Sequence, residues 1–191
     1  MRPGFGQFKF PSSEYLRFAA QYGVKDILLN TPVLEQSSPG VWSKKELIKL
    51  RLNIESYGLQ LSAIENVPTN FYDHIMLGGE KSDQQIENMI ENISNIADAG
   101  IPIFGYNWMP SHVWRTDPVT IRGGALATAF DYDIAKQIPN THDREYTEKE
   151  LWKNLENWIK IITPIAEKKN IKLGIHPCDP PVENLGGIPQ L

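Results

Sequence analysis

Apolar residues recur along the chain at two spacings, and the spacings alternate. Ile86, Met89, Ile90, Ile93 and Ile96 follow one another at helical intervals, as do Leu151, Leu155, Trp158, Ile162 and Ile165, so each set predicts a helix with one buried stripe. Trp152 and Trp158 read as packing residues of the second helix. Between such stripes stand short, nearly unbroken apolar runs: VKDILLN at 24–30, LQLSAIEN at 59–66, IPIFGYN at 101–107 and IKLGIHP at 171–177. Runs of this length suit parallel strands covered on both faces.

Helix starts and stops are written in as well. Ser43 to Glu46, Ser82 to Gln85 and Thr147 to Glu150 each fit a capping box, in which a hydroxyl and a carboxylate or amide satisfy the free N–H groups of a first turn. A further helix starts near Ser12 or Ser13. Gly23, Gly58 and Gly100 stand where a left-handed residue ends a helix. With PGFGQF at 3–8 as a first strand, the pattern predicts five strands and four helices in strict alternation.

Two architectures fit that alternation, a (β/α) barrel and an open doubly wound sheet. The apolar runs end in Asn30, Glu65, Asn107 and His176, which places polar groups where a barrel gathers its site and favours the barrel. Neither G-x-G-x-x-G nor G-x-x-x-x-G-K-[ST] occurs, and Gly78-Gly79 and Gly123-Gly124 read as turns rather than anion nests. The connection from 108 to 146 is far longer than an ordinary loop between strand and helix. Its Trp108, Trp114, Phe130 and Tyr132 argue for order. It is either a lid that packs and forms salt bridges, or one whose Arg115 and Arg122 meet an acidic substrate.

Composition narrows the partners. A chain of 191 residues, 41% hydrophobic, is long enough for one core, so residues 1–191 are expected to form a single domain with a long loop insertion at about 107–146. Nineteen Lys and Arg against 23 Asp and Glu, mixed along the chain, leave no basic block for nucleic acid. The N-terminus lacks a signal-peptide design and no apolar run is long enough to span a bilayer, so a soluble, cytoplasmic protein without membrane association is expected. Asn92-Ile-Ser94 matches a glycosylation acceptor by chance, inside a helical stripe. The one cysteine, Cys178, forms no internal disulfide and reads as a buried or incidental thiol.

Candidate chemistry collects at the last run, where His176 ends a strand and Asp179 follows three residues on, a plausible part of a divalent-metal site. On the residues alone, a hydrogen-bonded structural histidine is the commoner role, and His74, His112 and His142 sit in loops without ligand spacing. A resemblance adds to this. IHPCDPP at 175–181 with LGGIPQL at 185–191 resembles the HPDDPP strand-and-loop signature of mannonate dehydratases, and SAIENVP (62–68), AGIPIFGYNWMP (99–110), VWRTD (113–117) and ALATAFDYD (125–133) stand in that family's order.

The resemblance implies a (β/α)8 barrel of the xylose-isomerase type. It also implies loss of water from D-mannonate to give 2-keto-3-deoxy-D-gluconate in hexuronate breakdown, with Mn2+, Fe2+ or another divalent cation. His176 matches the first metal ligand, Asn107 and Arg115 match strand-end and loop positions facing the sugar acid, Glu65 lies at the rim of the same barrel end as a further substrate-binding candidate, and Asp179 matches a residue that supports the metal from outside its ligands. Cys178 departs from the pattern, standing where the family has an aspartate. The family's remaining ligands, a Cys, a His and an Asp, and its acid–base groups lie in a further half, so catalytic residues are unassigned here and the chain is expected to be a barrel cut after its fifth strand. Its open edges are expected to favour homo-oligomers. Two other readings stay open: another metal-dependent sugar isomerase or epimerase of the same barrel class, and a non-catalytic half-barrel serving binding or assembly.

Overall fold

A computed structural model of the chain describes residues 2–191, so Met1, the first residue of the expected domain, lies outside the described residues. Strand β1 (Gly4–Phe8) leads through α1 (Ser13–Gln21) to β2 (Asp26–Asn30). A small antiparallel pair, β3 (Gln36–Ser38) and β4 (Val41–Trp42), precedes α2 (Lys44–Glu55) and β5 (Gln60–Asn66). A single-turn helix at Thr69–Phe71, then α3 (Asp73–Leu77) and α4 (Ser82–Asp98), lead to β6 (Ile103–Asn107). The long connection carries β7 (Thr116–Thr120), a turn at Arg122–Gly124, β8 (Leu126–Ala129) and α5 (Tyr132–Ala135). Helix α6 (Glu148–Lys169), β9 (Lys172–His176) and a terminal pair, β10 (Asn184–Leu185) with β11 (Ile188–Pro189), complete the chain.

The main sheet has the order β1-β2-β5-β6-β9, every neighbour parallel. Chain order and spatial order coincide, so the sheet has no reversal point of the kind that opens a crevice in a doubly wound fold. Right-handed crossovers running always the same way put the main crossover helices on one face. One core cluster bears this out, joining Leu16 and Ala19 of α1, Leu47 and Ile54 of α2, Met89, Ile93 and Ile96 of α4, and Leu155, Trp158 and Ile162 of α6 to Ile27, Leu29, Leu61, Ile64, Phe104 and Tyr106 of the strands. The sheet does not close on itself: β1 and β9 form its two ends and are not paired with each other. The fold is thus α/β with an open parallel sheet.

The helix ends follow local chemistry, with two departures from the sequence reading. Ser12 caps α1, its Oγ accepting from the Tyr15 N–H at 3.2 Å, and Gly23, Gly58 and Gly100 adopt φ of 73°, 75° and 80° at the ends of α1, α2 and α4. At Thr147 the full capping box forms, with Oγ1 accepting from the Glu150 N–H and the Glu150 carboxylate accepting from the Thr147 N–H. Ser43 precedes α2 without a side-chain capping bond. Ser82 is already inside α4, and its hydroxyl donates to the carbonyls of His74 and Gly79. Gln85 turns the other way, its Oε1 accepting from the N–H groups of His74 (2.9 Å) and Ile75 (3.2 Å), so it caps α3 instead. The nearer unpaired N–H groups won the side chain.

Trp158 is fully buried, whereas Trp152 is 50% exposed and its indole N–H donates to Glu148, so only one of the pair is a core residue. Asn92 is also fully buried, its amide accepting from the Trp42 N–H and donating to the Gly40 carbonyl, both at 2.8 Å, which leaves the glycosylation triplet without an accessible acceptor.

Removing the buried indole in Trp158→Ala is expected to cost about 3–5 kcal/mol, while Trp152→Ala stays within about 1 kcal/mol; paired urea titrations read the difference. The capping box sets a second expectation. Hydrogen bonds from the Thr147 backbone and hydroxyl, then from Arg144, hold the Glu150 carboxyl down to about 2. A depressed folded value means the stabilisation is complete above the ordinary carboxyl range and is lost as pH falls toward about 2. Carboxyl-selective NMR should find Glu150 titrating there, and Thr147→Ala should move it upward.

Candidate functional site

Period-two alternation sends the apolar half of each strand to the helices and leaves polar residues for the other face and the ends. Asn30, Asn66, Asn107 and His176 are the last residues of β2, β5, β6 and β9, four neighbouring strands, so they share one rim. In the β2–β5 pairing Leu29 meets Ile64 and Asn30 meets Asn66, which makes Glu65 an extra residue that the ladder skips. An inserted residue re-aims a side chain. Glu65 accordingly turns toward β1, accepting from Gln7 Nε2 at 3.1 Å. Gly105 allows β6 to come close beside it: a Cβ there would stand 2.6 Å from the Glu65 carbonyl oxygen.

The three asparagines form a chain. Buried Tyr72 donates its hydroxyl to Asn107 Oδ1 at 3.0 Å, Asn107 Nδ2 donates to Asn66 Oδ1 at 3.3 Å, and Asn66 Nδ2 donates to Asn30 Oδ1 at 3.4 Å. Thr31 Oγ1 donates to the same Asn30 oxygen at 2.7 Å. Burial pushes the Tyr72 phenol well above its ordinary range, so it stays protonated. Asn66 and Tyr72 were absent from the sequence reading. Asn66 left a signal, since three consecutive runs of the main sheet end in asparagine; Tyr72, in the loop after β5, left none.

Arg115 and Asp179, given separate roles by resemblance, meet each other. The guanidinium donates to both carboxylate oxygens, at 2.9 and 2.6 Å, and also to the Trp114 carbonyl at 2.7 Å. Hydrogen bonding to Arg115 is the main cause that lowers the Asp179 carboxyl; burial opposes it, and the charges of Arg115 and then His176 add smaller lowering effects. His176 is exposed, with Nδ1 2.6 Å from the Pro177 carbonyl oxygen. A carbonyl there selects the tautomer with hydrogen on Nδ1, leaving the Nε2 lone pair as the ligand atom. Cys178 is half-buried beside the Trp108 carbonyl, and burial raises its thiol, which suits an inert group.

The long connection is ordered by the segment after β9. Thr141 N donates to the Gly186 carbonyl at 2.8 Å, Tyr146 N to the Gly187 carbonyl at 3.0 Å, and Gln190 Nε2 to Ser111 Oγ at 3.1 Å. Gly123 and Gly124, at φ 72° and 78°, make the tip of the β7–β8 hairpin. Arg122 lies exposed in that tip. His74 and His142 line a separate cavity of about 330 Å3 with Asp73, Glu80 and Asp143.

Among the described residues no three His, Cys, Asp or Glu side chains converge to hold a metal. His176 offers one ligand and Asp179 is spoken for by Arg115, so these residues do not by themselves fit a divalent-cation site.

A family model described as D-mannonate dehydratase (UxuA) matches residues 8–149 and 135–191. A mannonate dehydratase of Streptococcus uberis is 32% identical over 194 aligned positions, covering 88% of this chain and 53% of that protein. The crystal structure of a mannonate dehydratase from Streptococcus suis serotype 2 superposes with a TM-score of 0.83 at 29% identity, over 100% of this chain and 55% of that one. A crystal structure of D-psicose 3-epimerase is similar at a TM-score of 0.58 and 14% identity, covering 94% of this chain and 53% of the other, a likeness of fold alone. The chain spans about half the length of the curated relatives it matches.

Pairing with Arg115 makes Asp179 a sensitive reporter of this rim. Arg115→Ala should return the Asp179 carboxyl upward toward its ordinary range, read by carboxyl NMR titration; an unmoved value would mean that the ion pair does not form in solution.

Proposed function

Because the chain belongs to the D-mannonate dehydratase family, we propose that it supplies the sugar-acid-binding side of a site that dehydrates D-mannonate to 2-keto-3-deoxy-D-gluconate. Its five strands are read as the first arc of a (β/α)8 barrel. The observation that carries the reading is the rim itself, where Asn30, Asn66, Asn107 and His176 end four neighbouring strands, Glu65 stands next to the end of β5, and Asp179, just after His176 in the chain, pairs with Arg115.

The chemistry asked of such a site is proton removal next to a carboxylate and departure of a hydroxyl, with negative charge growing between the two. This chain's residues suit the binding part of that task. Amide N–H groups at the strand ends accept no proton and serve as fixed donors. Glu65, an acceptor, suits sugar hydroxyls. Arg115 is already bidentate on Asp179, so it borders the rim as a paired charge and not as a free cation. When present in such a site, a divalent cation stabilises developing negative charge. The resemblance points to Mn2+ or Fe2+, and among the described residues His176 alone would serve as a direct ligand. Further ligands and the acid–base pair are expected from sequence that the relatives carry outside the matched span.

The test is an assay of keto-deoxy-sugar acid formation from D-mannonate with added Mn2+. The 191-residue chain should give no measurable product. A chimera extended by the remaining half of the S. uberis relative should turn over and lose activity on His176→Ala. Robust turnover by the short chain, or an inactive but folded chimera, would overturn the division of labour proposed here.

A further inference from the structure

The amide chain at the rim has a direction, and the direction has one source. Tyr72 is fully buried and its hydroxyl has one side-chain partner among the described residues, Asn107 Oδ1 at 3.0 Å. If the Asn107 amide were turned over, the phenol oxygen would accept from the NH2 group, and the buried phenol hydrogen would be left without a side-chain acceptor. The carbonyl of Asn107 is therefore held on Tyr72. Its NH2 then faces Asn66 Oδ1, and the Asn66 NH2 faces Asn30 Oδ1. Thr31 donates to that same last oxygen, in keeping with this sense.

The hydrogen inventory follows. Each asparagine carries two N–H donors and one carbonyl. Every carbonyl in the chain is engaged, that of Asn30 twice. Asn107 and Asn66 each spend one N–H and keep one; Asn30 spends none within the described residues. Asn30 and Asn107 are only half-buried, so their spare donors border the rim. Glu65, the nearest carboxylate in sequence, is drawn away toward β1 by Gln7. One side of the rim is thus rich in donors and the other carries an acceptor.

We infer that Tyr72 is a positioning residue that polarises the Asn107–Asn66–Asn30 chain so that the rim presents amide N–H groups, and that this donor edge receives the carboxylate of the sugar acid. The assignment of the carboxylate rests on the dehydratase reading; the polarity of the edge does not. A group with only acceptor atoms fits such an edge.

Side-chain amide NMR of the full 191-residue chain tests both parts. Acetate and D-mannonate should each shift the Asn30 and Asn107 NH2 signals, while D-mannitol, which has the hydroxyls without the carboxylate, and Mg2+ should not. Tyr72→Phe should weaken D-mannonate binding about ten-fold, the loss expected when a hydrogen bond to a charged group is disordered. Asn107→Asp, which keeps the bond from Tyr72 but replaces the donor by an acceptor, should abolish the carboxylate response and serves as the control if the phenylalanine variant unfolds. Amide signals unmoved by either carboxylate, an equal response to D-mannitol, or undiminished binding by Tyr72→Phe would each overturn the inference. A response to acetate without one to D-mannonate would uphold the donor edge and overturn the sugar-acid assignment. D-mannonate binding that leaves the asparagine signals unmoved would overturn the placing of its carboxylate on this edge while leaving the dehydratase reading intact.

Discussion

The burial of one face of the parallel sheet is the constraint on which the rest depends. Ile27, Leu29, Leu61, Ile64, Phe104 and Tyr106 all point into the core shared with α1, α2, α4 and α6. A slip of one residue in any strand would turn such a side chain to the other face, so the helices fix strand register through the hydrophobic effect and not through specific bonds. Fixed register then decides where the polar residues fall. Asp26 and Ser62 meet on the opposite face, where the Ser62 hydroxyl donates to Asp26. Asn30, Asn107 and His176 come level at the strand ends because Leu29, Tyr106 and their neighbours are anchored beneath them.

Two local irregularities then adjust what the regular sheet provides. The ladder between β2 and β5 skips Glu65, which lets one strand present both a carboxylate and an amide at its end. Absence of a Cβ at Gly105 lets the β6 backbone lie against the Glu65 carbonyl, so the skipped residue is held from both sides. A side chain at that position would have to push β6 outward, and Asn107, two residues on, would move with it. Local backbone form and the amide chain are in this way coupled through a single close approach.

Much of this was legible in the sequence, and the losses have physical reasons. The stripes of α4 and α6 and the apolar runs were readable because helical spacing and short unbroken apolar runs are distinct patterns. Local polar contacts were less so. Ser82 and Gln85 fit a capping box by spacing, but spacing does not tell which of two adjacent helix starts has the nearer free N–H groups, and Gln85 serves α3. Trp152 and Trp158 look alike in composition, yet their places on the α6 face differ, and one is half-exposed. At the rim, Asn30, Glu65, Asn107 and His176 announced themselves by ending apolar runs. Asn66 stands beside the more conspicuous Glu65, and Tyr72 carries no local signal because its role comes from a contact with Asn107, 35 positions away. The Arg115–Asp179 pair joins residues 64 positions apart, a distance that no local pattern spans.

That pair also shows why the rim's electrostatics cannot be read residue by residue. Arg115 taken alone is a cation ready for a carboxylate, and Asp179 alone is a carboxylate ready to support a metal. Paired, they nearly cancel, and both are exposed enough for water to screen what remains, so the pair adds little net attraction. A ligand carboxylate must displace Asp179 to gain Arg115, an exchange of one bidentate contact for another that is close to neutral in energy. Neutral amides carry no such competition. Their donors are oriented before the ligand arrives, by a buried phenol and a threonine hydroxyl that no ligand needs to move, and orientation secured in advance is the part of binding that does not have to be supplied at the moment of encounter. On this rim, the uncharged groups are the ones best placed to decide what is bound.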